Sequence, residues 1–208
     1  MKTLDYRFAL QRITTILAVV ALSLVLLAGI TGVALAFYYE PTAGGAYRSL
    51  EFITRDVSGG VIIRSLHDIA GNALIVVALL QLVVMFLGRQ FRPSWLAAWV
   101  SGIFLALVAI AASWTAIILD WDQTGYWRFK LEMKTVESIP VVGESLREIL
   151  TGGGVGSLAV EHMYTLHSYL LSAIAISLSV LHLAALVYQE RERQQFSKTL
   201  NQLISDSQ

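Results

Sequence analysis

Residues 13–39 read ITTILAVVALSLVLLAGITGVALAFYY, 27 consecutive positions without an Asp, Glu, Lys or Arg. At 1.5 Å rise per residue, about 20 such residues cross the roughly 30 Å hydrocarbon core of a bilayer, so the stretch can span a membrane once. It is also longer than the roughly 7 to 15 residues of a signal-peptide apolar region, and it reads as a retained helix rather than a cleaved one. Working outward, three more charge-free stretches follow: Ile69–Gly88 (20 residues), Pro93–Leu119 (27) and His162–Gln189 (28). All 15 basic and 15 acidic side chains lie outside them, and charged residues make up only 14% of the chain, against roughly 25% in soluble domains. The sequence therefore predicts an all-α fold, a four-helix transmembrane bundle. Its spans fall at about 13–39, 62–88, 93–119 and 158–189 of a single membrane domain covering residues 1–208.

Composition excludes several chemistries. The chain has no cysteine, so it offers no disulfide, no thiolate metal site, no iron–sulfur cluster and no thioether-linked, covalent haem. A net charge of zero without a basic cluster argues against nucleic acid. Membrane lipid is the implied solvent of half the chain. An even number of spans puts both termini on one side. That side, with the short connection at 89–92, carries eight basic and four acidic residues; the other carries seven basic and eleven acidic. Arg89 and Arg92 in a short connection are the clearest positive-inside signal, and they place both termini on the negative (n) side of an energy-transducing membrane.

On the opposite, positive (p) side a long connection runs from 120 to 161. Thr135–Leu150 predicts two short amphipathic surface helices broken at Pro140 and Gly143, with Leu146, Ile149 and Leu150 as one apolar stripe. The glycine-rich run at 151–156 lacks a following Gly-Lys-Ser/Thr and reads as a turn into the last helix rather than a phosphate loop. Asp122 and Gln123 read as turn-stabilising groups ahead of proton-handling ones.

All four histidines lie in or beside the spans. An ionisable side chain within a membrane is costly and marks a candidate site, although a lone histidine is as readily a packing residue bonded to a neighbouring helix. His67 and His167 fall at similar depths on the second and fourth spans, the arrangement in which two imidazoles bind low-spin haem iron axially. His182 lies fifteen residues after His167, which is 60° past four turns at roughly 22 Å, so both can face one interior. Its counterpart on the second span, fourteen residues after His67, is Gln81. His162 is about 140° round the helix from His167 and cannot share its iron from the same face.

Five runs, in order, resemble the four-helix cytochrome b6 family: Phe37-Tyr38-Tyr39-Glu40-Pro41-Thr42, Ile63-Arg64-Ser65-Leu66-His67, Trp121-Asp122-Gln123-Thr124-Gly125-Tyr126-Trp127, Ile139-Pro140-Val141-Val142-Gly143 and Tyr164-Thr165-Leu166-His167. The resemblance implies a p-side haem b held by His67 and His167, with Arg64 and Gly32 near its edge and face, and His182 as a candidate ligand of n-side haem iron. It also implies quinone or quinol, further membrane subunits of a b6f- or bc-like complex, a Rieske protein and a c-type cytochrome as partners. The membrane would be a thylakoid or bacterial inner membrane.

The departures from the family cluster on the n side. The resemblance puts a second histidine where Gln81 stands, an arginine at Val84, paired glycines at Ala18 and Val19, and a haem-linking cysteine at Ile16. Gly102 is kept. On the p side Asp68, His162 and Ser113 replace two arginines and a glycine, and an anion for a cation should lower the haem potential. Three readings stay open. The first is a haem b electron-transfer subunit with an altered or absent n-side haem, not sufficient for catalysis alone. The second is a non-catalytic accessory scaffold binding haem, pigment or lipid. The third is a haem-bearing anchor for a soluble dehydrogenase.

Overall fold

The computed structural model describes residues 2–88 and 95–206. The Arg89 and Arg92 connection, on which the orientation argument leans, lies outside the described residues, as does the expected start of the third span at Pro93. The described chain is helical throughout its regular structure: α1 (Lys2–Ala36), α2 (Ala46–Arg55), α3 (Gly60–Leu87), α4 (Leu96–Leu119), α5 (Gln123–Glu137), α6 (Gly143–Thr151), α7 (Ser157–Thr165) and α8 (Ser172–Asp206). A single π-helical turn, Leu166–Leu171, joins α7 to α8. Among the described residues, four helical stretches are long and apolar enough to cross a membrane: Ala9–Ala36, Gly60–Leu87, Leu96–Leu119 and Ser157–Glu192.

The four spans form a ring in which α1 packs on α3, α3 on α4, α4 on α8 and α8 on α1. This order sets α3 diagonally across from α8. Three apolar layers fill the interior. At the end carrying α2, α5 and α6, here the loop end, lie Ile118, Leu119, Trp121, Phe129, Val160 and Met163. Ala21, Val25, Leu74, Leu105, Ala109 and Ala175 form the middle. Ala18, Met85, Trp95, Ala98 and Leu186 close the other, terminal end. The outer faces keep large apolar side chains exposed, among them Ile30, Val76, Phe86, Leu107 and Leu181, as lipid as solvent requires.

Helix ends follow local chemistry. α1 stops at Ala36 rather than Tyr39, shortly before Pro41, which cannot continue a helix and biases Glu40 out of the helical region. Tyr38 and Tyr39 turn back with their N–H groups on Leu35 O. Tyr39 then donates its hydroxyl to Leu119 O at 2.8 Å. Burial raises the Tyr39 pKa, so the phenol keeps that proton at any ordinary pH. The helix α2 has no counterpart in the sequence reading. Ala46, Leu50 and Ile53 bury one face of it, but ten residues between turn signals, half of them polar, carry too short a pattern to stand out. A short turn then leads into α3 through its N-cap Gly59, whose φ of 75° suits a residue without a Cβ.

The long connection differs from expectation at its start. Its first helix begins at Gln123, not Thr135, because Asp122 caps it: the Gly125 N–H donates to Asp122 Oδ1 at 2.7 Å. Trp121, at φ 46°, makes the sharp exit from α4 that aims this cap, and it is packed against Tyr126 and Phe129. The break falls at 138–142, around Pro140. Of the expected stripe on α6, Leu150 packs on the loop-end layer while Leu146 and Ile149 are exposed. Asp122→Ala should cost about 1 kcal/mol of stability through the lost cap, and Asp122→Asn much less. Thermal unfolding followed by circular dichroism checks both, and equal losses in the two variants would contradict the capping role.

Candidate functional site

The apolar layers leave two polar levels between them. At the first, between the loop-end and middle layers, His67 of α3 meets His167 of the π turn, with ring centres 6.1 Å apart. Two imidazoles sharing one metal ion through bonds of roughly 2 Å keep their centres about 6 Å apart. Each ring is anchored on the neighbouring helix of the ring of spans. His67 Nδ1 lies 2.9 Å from Ala28 O and 3.2 Å from Thr31 Oγ1 on α1. His167 Nδ1 lies 3.0 Å from Ala112 O and 2.8 Å from Thr115 Oγ1 on α4. A carbonyl only accepts, so each Nδ1 carries the proton and each Nε2 keeps its lone pair, the tautomer a metal ligand needs.

Gly32 faces the His67 ring. A Cβ there would come within 3.0 Å of His67 Cε1, so the absent side chain is what lets α1 approach the imidazole. Arg64, one turn before His67, holds the loop end together. Its Nη2 pairs with Asp120 Oδ1 at 3.0 Å and its Nη1 donates to Thr54 Oγ1 at 3.1 Å, tying α3 to α4 and α2.

Burial raises the Asp120 pKa, and the Arg64 guanidinium only partly offsets this. A carboxyl with a raised folded pKa contributes stability that is full below its unfolded value near about 4 and is lost as pH rises through the folded value. The thermal midpoint of the protein relative to Asp120→Asn should therefore climb as pH is lowered from neutrality. A gap that shrinks on acidification would mean that the Arg64 pair outweighs burial.

The second level, between the middle and terminal layers, repeats the pattern with one ligand type changed. His182 of α8 anchors Nδ1 on Ser101 Oγ of α4 at 2.9 Å. Gly102 faces it, where a Cβ would reach 2.9 Å from His182 Cε1. Across the interior, α3 presents Gln81, which is 2% exposed and donates its Nε2 to Thr14 O of α1 at 3.0 Å. At both levels, then, the α3 residue leans on α1 and the histidine following α7 leans on α4.

The structure corrects two details of the sequence argument. The π turn adds one residue to its helical turn, so the fifteen positions from His167 to His182 count as about fourteen, leaving them 40° short of four turns instead of 60° past. Both still face α4. Of Ala18 and Val19, only Ala18 lies inside, 1% exposed, whereas Val19 is 49% exposed and turns outward, so any crowding of the second level falls on Ala18. His162 stands apart: its Nδ1 donates to Ile149 O at 2.8 Å and joins α7 to α6.

Sequence reasoning missed the ring-holding hydroxyls Thr31, Thr115 and Ser101. Each also donates back to its own helix, to Leu27 O, Ala111 O and Ala97 O respectively, the ordinary habit of Ser and Thr in apolar helices, so type and spacing gave no separate signal.

Known proteins resemble this chain in sequence and fold. The Cytochrome b/b6/petB family pattern matches residues 6–190. Cytochrome b6 of Cyanidium caldarium is 36% identical over 153 residues, 73% of this chain and 71% of that protein. Cytochrome b6 of Synechococcus elongatus is 35% identical and that of Mastigocladus laminosus 34%, each with the same coverage. A solved structure titled hyperthermophilic respiratory Complex III shares the fold, with a TM-score of 0.69 at 23% identity. It matches 83% of this chain, which spans 47% of that one. With a family pattern along nearly its whole length and a histidine-bearing membrane bundle to match, the chain belongs to the cytochrome b/b6 family.

Proposed function

We propose that this chain is the haem b electron-transfer subunit of a quinol-oxidising membrane complex, with one bis-histidine haem on the p side between His67 and His167. The observation that carries the reading is the pair of imidazoles 6.1 Å apart across the interior, each with Nδ1 spent on a neighbouring helix. When bound, the haem supplies one-electron exchange between quinol and a redox partner. The chain's own residues do the rest. His67 and His167 fix the iron, Thr31 and Thr115 fix their rings, Gly32 gives clearance, and Arg64 stands at the loop end with charge for an anionic edge. Quinone or quinol, lipid, and companion membrane subunits with a Rieske protein and a c-type cytochrome complete the machinery. In this reading both termini lie on the n side of a thylakoid or bacterial inner membrane. No covalent haem is expected, because there is no cysteine to hold one.

The n-side level fits the group differently. Gln81 offers no imidazole and its amide nitrogen is committed to Thr14, so a second bis-histidine haem lacks its ligand. This observation also favours a second reading, an accessory subunit that retains the bundle without electron transfer. Isolating the tagged chain from its native membrane and adding a quinol analogue separates the two. Reduction of the low-spin haem b, with partner subunits present, supports the electron-transfer reading; a haem that quinol never reduces supports the accessory one.

A further inference from the structure

Among the buried polar atoms in the terminal half of the bundle, His182 Nε2 is the one on a potential metal ligand. His182 is 1% exposed, and its Nε2 is buried without a hydrogen-bond partner. The Ser101 hydroxyl donates to Ala97 O at 2.6 Å, so it accepts from His182 Nδ1–H at 2.9 Å and leaves Nε2 as a bare lone pair. An acceptor buried in this state carries a desolvation penalty that the protein alone does not offset. The His182 ring is held as firmly as the two of the first level. It faces a glycine, Gly102, where any Cβ would crowd its Cε1.

Nothing among the described residues supplies a second nitrogen ligand at this depth. Gln81 is tied to Thr14 O, and its neighbours Val84 and Met85 are buried and apolar. An amide oxygen is a weak ligand, so an iron bound to His182 would stay high-spin and exchange whatever occupies its far side.

We propose that His182 is the sole strong protein ligand of an n-side haem b whose sixth position is open to small diatomic molecules such as carbon monoxide. This rests on the reading of the chain as a haem b protein and adds a gas-binding site that an electron-transfer haem with two histidines does not have. His182 is 1% exposed among the spans, so a small apolar gas would reach it by the lipid-facing route.

The test uses the full-length chain, dithionite-reduced, with haem counted per chain and carbon monoxide as the probe. The expected result is two haems, one low-spin and indifferent to the gas, the other with a Soret band shifted by it. In His182→Gly the gas-sensitive band disappears, and added imidazole, which fills the vacated space, restores it. In Gln81→His the same haem becomes low-spin and stops responding. A wild-type chain with its low-spin band intact and no gas-sensitive haem overturns the proposal and leaves the His67–His167 reading standing. A gas-sensitive band that persists in His182→Gly without imidazole overturns it too. A chain without any haem overturns both.

Discussion

In His67→Leu and His167→Leu the low-spin haem b band should vanish from the reduced-minus-oxidised spectrum. Iron held by two neutral imidazoles is low-spin because both axial positions are filled by strong nitrogen ligands, and leucine offers none. Each substitution also removes one tie between helices: Ala28 O and Thr31 lose the His67 Nδ1 donor, and Ala112 O and Thr115 lose that of His167, although both carbonyls keep the threonine hydroxyl as a donor. Losing one such hydrogen bond costs about 0.5–1.5 kcal/mol, so both variants should also melt slightly earlier. The two effects separate in Thr115→Val, which removes one anchor and keeps the ligand; it should retain the band and shift it slightly, since ring-orienting partners tune the ligand rather than replace it. An unchanged low-spin band in either leucine variant would remove the pair from the iron.

The second large effect concerns transfer across the membrane. Fourteen residues of α3 separate His67 from Gln81, about 21 Å along the helix. No second low-spin haem continues the path at that distance, because an iron on His182 alone would change its coordination with its redox state, so the chain should exchange electrons mainly with p-side partners and transfer only slowly to the n side. Gln81 removes a ligand, Val84 contributes no charge for haem propionates, and Ala18 fills space at the same level. In Gln81→His a second bis-imidazole signal should appear in electron paramagnetic resonance of the oxidised protein. Two such signals in the unsubstituted chain would refute the asymmetry.

Most of the fold was legible because charge-free runs of 20 to 28 residues have few solutions other than spanning helices. The histidines were legible for the same reason, since an ionisable group stands out against an apolar background. What escaped notice was encoded by weaker patterns. The helix α2 is shorter than a reliable period, and the cap at Asp122 moved the start of α5 by pulling the chain into a helix directly after Trp121. The π turn at Leu166–Leu171 has no sequence mark at all; the Ser172 hydroxyl beside it donates to the carbonyls of Ser168 and Tyr169, as serines do in any helix. Val19 illustrates a different limit. Two adjacent positions on a helix point 100° apart, so only one of Ala18 and Val19 could face the interior, and the sequence alone did not say which.

Pyridine haemochrome counting combined with electron paramagnetic resonance of the purified, oxidised full-length chain tests the central claim most directly. The account predicts one bis-imidazole low-spin haem b per chain, lost in His67→Leu and in His167→Leu and retained in His182→Gly. A bis-imidazole signal that survives either leucine substitution, or that depends on His182, would contradict it.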